Sequence, residues 1–397
     1  MAPGDLKRVA LPAPAVTFLG GGGRDLDATK LPAEVSGLPA GTHVAITDPN
    51  GEELGLAIVD PDNQKLRVIA LAADGFPRID GALLGWRVER ALRWRTQLGL
   101  PGPDHAYRLI HGAGDGLPGF TCDVLGRVAV VYAYGEGLRA VGRSLAESVV
   151  GFARLDGAVV KLRARGGADA VEQDVIGKVE DRSVATEYGV PFEIHPLGGL
   201  NAGLFTDMRE HRRGLARFVA DKRVLNLFSY TGALSVACAR AGAKTVTSVD
   251  TSAGVQAWAH GNFKRSGLDD AARWKFETGD AARFLTRAIK DKERYDVVLI
   301  DPPTFSPARG GSSPWVLDRD YPELIAKAAT VIPTDGLLWL AANTHELAAL
   351  SKLAHKGLRL AGRTGAMLEQ GGLPPDYPTL VAQPHDRYLQ VCLLRLS

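Results

Sequence analysis

The sequence predicts an α/β protein whose C-terminal half is a doubly wound, Rossmann-like sheet, preceded by a small α+β domain and an N-terminal β-barrel. Three observations carry that expectation. In the C-terminal half, short buried-type strands alternate with helical segments, the pattern of a parallel sheet with helices on both faces. Near the N-terminus, short apolar runs are punctuated by turn residues. The chain has 397 residues, too many for one compact core. The expected divisions are a barrel over residues 1–77, a helical linker over 78–104, an α+β domain over 105–189 and the sheet domain over 190–397.

The elements follow in order. Residues 16–73 read as β throughout, with apolar runs Val44-Ala45-Ile46, Leu56-Ala57-Ile58-Val59 and Leu66-Arg67-Val68-Ile69. Asp48-Pro49-Asn50-Gly51 and Asp60-Pro61-Asp62-Asn63 supply the turns. The Gly20–Gly23 run lacks the Lys-Ser/Thr of a phosphate-binding loop and reads as a flexible connection. Residues 79–99 read as an amphipathic helix, with Leu84, Val88, Leu92 and Leu98 on one face. Arg87, Arg90, Arg93 and Arg95 fall elsewhere, as RNA-phosphate contacts or as a solvated face. Residues 128–134 and 158–162 are strong strand signals around a helix over 138–152. Beyond the seam at 189–191, strands are expected at 224–227, 245–250, 274–277, 297–300 and 337–341. Helices are expected at 232–241 and 252–266.

Composition removes several classes. The formal net charge is only +2, which excludes a uniformly basic coat but leaves room for a local basic groove. Cys122, Cys238 and Cys392 are widely spaced and form no CxxC pair, so neither a structural metal site nor a disulfide framework is expected. The first residues lack the apolar run of a signal peptide, and no stretch reaches the ~18 apolar residues of a membrane span. These features fit a soluble, cytoplasmic protein and set no oligomeric state.

The chemistry gathers at the strand ends. The first C-terminal strand runs into Phe228-Ser229-Tyr230-Thr231-Gly232, where a glycine at the start of the next helix lets a ligand approach the backbone. No GxGxxG follows this strand, which counts against a dinucleotide and leaves an NAD-dependent oxidoreductase as the weakest reading. Asp250 closes the second strand, where a carboxylate can accept both ribose hydroxyls of an adenosine. Asp280 closes the third, where it can accept from the adenine amino group. A lone strand-end Asp is usually a helix N-cap; two in succession after a glycine turn point to an adenosine pocket. The fourth strand ends in Asp301-Pro302-Pro303-Thr304-Phe305, a turn stiffened by two prolines, with an aromatic face at Phe305 for a flipped base.

The string VLNLFSYTGALSVACARAGAKTVTSVDTS, the DPPTFS turn and the upstream Gly203-Leu204-Phe205-Thr206-Asp207-Met208-Arg209 resemble the bacterial 23S rRNA large-subunit methyltransferases. Tyr107-Arg108-Leu109-Ile110 and Asp115-Gly116-Leu117-Pro118-Gly119 are similar as well. The resemblance spans nearly the whole chain. It implies a PUA domain, a small α+β domain and a class I methyltransferase domain, with S-adenosyl-L-methionine as cofactor and RNA, 23S rRNA in particular, as partner. Phe228, Ser229, Tyr230 and Thr231 would shape the methionine part of the pocket, beside Gly232. Asp250 would hold the ribose, Asp280 the adenine, and Asp301 would face the sulfonium and the target base. Arg209 would line the site. Pro302, Pro303 and Phe305 would meet the substrate. The His-Pro-Trp stretch expected of a PUA domain is missing around residues 31–35.

One departure bears on the chemistry. Many members methylate C5 of cytosine, a poor nucleophile that needs a cysteine thiolate added at C6. Asn343 occupies the position where that cysteine is expected. Cys238 reads as a small buried hydrophobe, and Cys392 falls in the last strand. Guanine N7 already carries an in-plane lone pair, so Asp301 and Asn343 need only orient the base and meet the charge that spreads into it. His211 and His345 are candidate acid–base groups, and Arg209, Arg212, Arg213 and Arg217 a candidate RNA-lining stretch; surface hydrogen bonds and ion pairs are the competing readings. Two other functions stay in view. A small-molecule methyltransferase leaves two appended domains unexplained, and an inactive ribosome-assembly factor need not keep a cofactor site.

Overall fold

The computed structural model describes residues 6–102, 105–163, 172–306, 315–344 and 349–397, with Phe305 and Ser306 described by their backbone alone. His345 lies outside the described residues. The chain forms two compact units. The first holds residues 1–188 and takes back two later segments, Ile194–Ala202 and Pro375–Asp386; the second holds the rest.

In the first unit, a five-stranded sheet has the order Lys7–Ala10, His43–Thr47, Glu53–Asp60, Lys65–Leu71 and Asp25–Asp27. Its pairing is open among the described residues: no pair links the first strand to the last. The apolar runs here are continuous rather than alternating because both faces are covered. Val44, Ile46, Ala57 and Val59 face one core, while Ala45, Leu56, Ile58 and Ile69 face another. The all-β expectation for this stretch is corrected by the helix Ala13–Gly20, whose prolines sit in the first turn, where no backbone donor is lost. The glycine run closes that helix. A Cβ at Gly23 would lie 2.1 Å from the Phe18 ring, so the run permits a close approach rather than a phosphate cradle.

A second sheet in this unit runs Gln173–Gly177, Gly157–Leu162, Val128–Ala133, Phe120–Leu125, Ala106–His111. Helix Arg139–Ala153 makes the crossover between its two parallel strands. Helix Gly81–Gln97 packs into the same core, with Leu84, Val88, Ala91 and Arg95 buried. Those four positions are spaced by four, three and four residues, one helical stripe. Arg95 therefore points inward, and its guanidinium forks onto Asp115 at 2.6 and 2.9 Å. It also donates to the Asp376 carbonyl at 2.6 Å, so the returning Pro375–Asp386 segment completes the first unit's interior. Asp376 accepts in turn from Arg108 N at 3.0 Å, and Arg108 lies over the Tyr377 ring at 4.5 Å. Arg87 is likewise buried, paired with Asp74 at 2.7 Å. Neither arginine is placed for RNA.

The second unit is built on seven strands: β1 (Arg223–Leu227), β2 (Thr245–Asp250), β3 (Trp274–Thr278), β4 (Val297–Ile300), β5 (Leu337–Asn343), β6 (Gly365–Gly371) and β7 (Leu389–Leu396). Their order is β3-β2-β1-β4-β5-β7-β6. The first five are parallel, and β7 is inserted antiparallel between β5 and β6. This is the Rossmann-like α/β architecture. Leu225, Leu227, Val298, Ile300, Leu338 and Leu340 face a core shared with helices Ala281–Lys290, Leu317–Val331 and Ala349–Leu360. Among the described residues, no helix is long and apolar enough to cross a membrane, and no His, Cys, Asp and Glu cluster could hold a metal ion.

Candidate active site at the strand ends

Strands β1 and β4 are neighbours, with β2 and β3 beyond one and β5 beyond the other. The direction of chain travel across the sheet reverses there, and the crevice outside the carboxyl ends of such a pair is where α/β sheets bind ligands.

The loop after β1 is strained. Phe228 has φ 59° and Tyr230 φ 48°, both left-handed, ahead of Gly232 at φ 79°. An aromatic residue in that region costs about 1–3 kcal/mol. The surroundings hold both in place. Tyr230 N donates to Asp250 Oδ2 at 3.0 Å, and Ser229 N to the Val249 carbonyl at 3.0 Å. Thr231 Oγ1 donates to the Gly203 carbonyl at 2.6 Å, and Asn262 Nδ2 to the Thr231 carbonyl at 2.9 Å. At Gly232 a Cβ would meet that of Ala259 at 2.9 Å, so only glycine opens helix Ala233–Arg240 here. The Tyr230 ring lies 5.2 Å from Phe205 and 6.4 Å from Trp258. Burial, then the nearby Asp250 charge, pushes its phenol up to about 12.

Asp250 thus braces the loop through one oxygen, while the other accepts from Ser252 N at 3.1 Å. Asp280 is exposed and caps the next helix, accepting from Arg283 N at 2.9 Å. That is the ordinary role of a strand-end Asp, and it holds the side chain at the end of β3.

At the end of β4, burial and the Asp207 carboxylate push Asp301 up to about 7, against an opposing pull from Arg212. Tyr388 OH donates to Asp207 Oδ2 at 2.9 Å, and Arg212 Nη2 to the Phe205 carbonyl at 2.8 Å. The Gly203–Arg209 segment is thereby carried to the same strand end as the Asp301 turn. Pro302 is buried and Pro303 exposed. Asn343 is exposed at the end of β5, and its carbonyl accepts from Thr304 Oγ1 at 3.0 Å, which joins the two expected base-orienting positions.

Two residues here, Tyr321 and Trp315, carried no sequence signal, and Thr304 stood out only as part of the Asp301 turn. Tyr321 is fully buried, its hydroxyl between the carbonyls of Ile300 at 3.0 Å and Ala341 at 2.9 Å, bridging β4 and β5 just beneath both loops. Trp315 Nε1 donates to the Pro303 carbonyl at 2.8 Å, and Thr304 ties in Asn343 as above. A Tyr four residues into helix Leu317–Val331 is ordinary amphipathic patterning, so nothing local marks it.

The candidate arginines divide. Arg209 and Arg212 are buried, whereas Arg213 pairs with Glu210 and Arg217 with Glu369 on the outside. His211 is held by the Gly372 carbonyl at 2.7 Å, and burial lowers its pKa. A cavity of about 710 Å³ beside His211, Glu210, Trp339 and Leu393 is lined by none of the expected strand-end residues. All three cysteines are buried. Burial pushes the thiols of Cys238 and Cys392 up to about 12 and that of Cys122 higher still.

A strained loop after β1, a carboxylate at the end of β2 and a helix-capping acid at the end of β3 thus stand together at the carboxyl ends of neighbouring strands. Comparison with known proteins shows the family. The model of the S-adenosylmethionine-dependent methyltransferase family matches residues 107–381. Among curated relatives, ribosomal RNA large subunit methyltransferase I of Klebsiella pneumoniae is 29% identical over 88% of this chain and 88% of its own length. The Escherichia coli protein of that name is 28% identical over 88% and 89%. Among solved structures, a methyltransferase complexed with SAH superposes with TM-score 0.85 at 23% identity, covering 98% of this chain and all of its own. An S-adenosylmethionine-dependent methyltransferase from Agrobacterium tumefaciens gives 0.55 at 21%, over 74% and 90%. At those identities the superpositions speak for the fold. The chain belongs to the S-adenosylmethionine-dependent methyltransferase family and uses S-adenosylmethionine as its cofactor.

Proposed function

We propose that this enzyme methylates a base of large-subunit ribosomal RNA, at guanine N7 rather than cytosine C5. The relatives named for ribosomal RNA support the substrate class. The preference for N7 rests on one observation: every cysteine of the chain is buried. Cys392 lies on β7 opposite Leu340, inside the sheet, and Cys238 inside a helix face. A thiol pushed up to about 12 within the core supplies no thiolate to add to C6 of a cytosine.

Bound S-adenosylmethionine supplies an electrophilic methyl carbon. The residues of this chain supply its placement: Phe228, Ser229, Tyr230, Thr231 and Gly232 around the methionine end, Asp250 at the ribose, Asp280 at the adenine and Arg209 behind them. Pro302, Pro303 and Phe305 border the base, while Asp301 and Asn343 orient it. The ring-plane lone pair of N7 would take the methyl as its bond to sulfur breaks and SAH leaves, and an ionised Asp301 would offset the positive charge that spreads into the purine. The open five-stranded N-terminal sheet, read as PUA-like, and the α+β sheet beside it would present the RNA.

The test is transfer of radiolabelled methyl from S-adenosylmethionine to unmodified 23S rRNA, with nucleoside analysis of the product. The expected product is 7-methylguanosine. Labelled 5-methylcytidine would overturn the cysteine argument, and a cofactor-binding enzyme that labels no ribosomal RNA, free or in particles, would overturn the substrate.

A further inference from the structure

Trp315 stands where three parts of the site meet. Its indole N–H donates to the Pro303 carbonyl at 2.8 Å, within the Asp301–Thr304 turn. Its ring lies 5.6 Å from that of Phe228, the left-handed first residue of the loop after β1. Its other neighbour is Tyr321, at 6.3 Å and edge-on, the residue whose hydroxyl bridges the ends of β4 and β5. Pro303 sits in a turn with no N–H from either proline, so its carbonyl has no partner from within the turn's own prolines. The indole N–H, a donor with no acceptor capacity, matches that carbonyl without competing for it.

We propose that Trp315 is a positioning residue that locks the loop on the cofactor side to the turn on the substrate side, so that the two are held in one register. The Phe228 ring lies tilted against the indole and the Pro303 carbonyl is held by its N–H. A shift of either loop would therefore be felt by the other. Methyl transfer demands that alignment, because the acceptor lone pair and the methyl carbon must meet within a few tenths of an ångström of one geometry. The inference concerns the methyltransferase itself and rests on the rRNA reading only for the assay substrate.

Two variants separate the contacts. Trp315→Phe keeps a ring against Phe228 and loses the donor to Pro303, whereas Trp315→Leu loses both. Affinity for SAH is measured by calorimetry, and the rate of transfer by single-turnover labelling of the RNA that the wild-type enzyme modifies. Trp315→Phe should bind SAH within about two-fold of wild type yet transfer about three- to ten-fold more slowly, from the loss of the one hydrogen bond that ties the indole to the turn. Trp315→Leu should transfer at least as slowly and also bind SAH about five-fold more weakly, from the lost ring contact. A purely structural role would lower both readouts together in Trp315→Phe. That result, or wild-type affinity and rate in Trp315→Leu, would overturn the proposal. If the wild type labels no RNA, the substrate reading fails by itself. SAH affinity then decides: a Trp315→Leu enzyme that binds like wild type refutes the lock, and weakened binding with Trp315→Phe spared upholds it.

Discussion

Consider Asp301→Asn, which keeps the side-chain volume and removes the ionisable group. Burial and the Asp207 carboxylate raise the Asp301 carboxyl from 3.8 to about 7. A carboxyl raised in this way binds its proton more tightly in the folded chain than in the unfolded one. Folding stability therefore falls as pH climbs through the window from 3.8 to about 7, and the penalty is complete above it. A rise of about three pK units corresponds to about 4 kcal/mol at full strength. Water reaches this partly accessible carboxyl, so about 2 kcal/mol is a sounder figure. At about 2–4 °C per kcal/mol for a unit of this size, the asparagine enzyme should melt about 4–8 °C above wild type at pH 8. The assay is a set of cofactor-free thermal melts at pH 5, 6.5 and 8, with transfer rates alongside. The gap should widen with pH in favour of asparagine, while transfer falls by about two orders of magnitude. A gap that stays flat with pH, or one that favours aspartate at pH 8, would refute the reasoning.

Three further outcomes follow from the geometry. Asp250→Asn leaves one carbonyl oxygen where two carboxylate oxygens brace Tyr230 N and Ser252 N, so SAH affinity should drop about 10- to 100-fold with the melting curve little changed, as calorimetry would show. Asn343→Ala should bind the cofactor normally and lose most of its transfer rate; full activity would remove Asn343 from the mechanism. Arg95→Met strands Asp115 beside a buried carbonyl and should cost the first unit about 3–5 kcal/mol in a urea titration, where a loss under about 1 kcal/mol would show the fork to be incidental.

Much of the sheet domain is legible in the sequence, because its central strands, buried on both faces, read as short apolar runs and their ends carry the unusual residues. Asp250, Gly232 and the Asp301 turn stand out for that reason. The supports do not. Tyr388 reaches Asp207 across 181 positions, and Tyr321 reaches two carbonyls about 20 positions away on either side. Such pairings arise from tertiary packing and leave no local period. Helix Gly81–Gln97 teaches the converse lesson. Its arginines suggested a basic outer face, yet Arg95 continues the Leu84, Val88, Ala91 stripe and is internal by spacing alone. Charge drew attention away from position.

The return of Pro375–Asp386 to the first unit sets an order of events during synthesis. By the time residue 188 has left the ribosome, the unit it ends still lacks the segment carrying Asp376. At about 5–20 residues per second, that segment arrives roughly 10–40 s later. Through that delay Arg95 has Asp115 but not its carbonyl partner, and the Tyr377 ring has yet to cover Arg108. The nascent first unit must wait incomplete while most of the methyltransferase sheet is made, which ties its final closure to the synthesis of Pro375–Asp386.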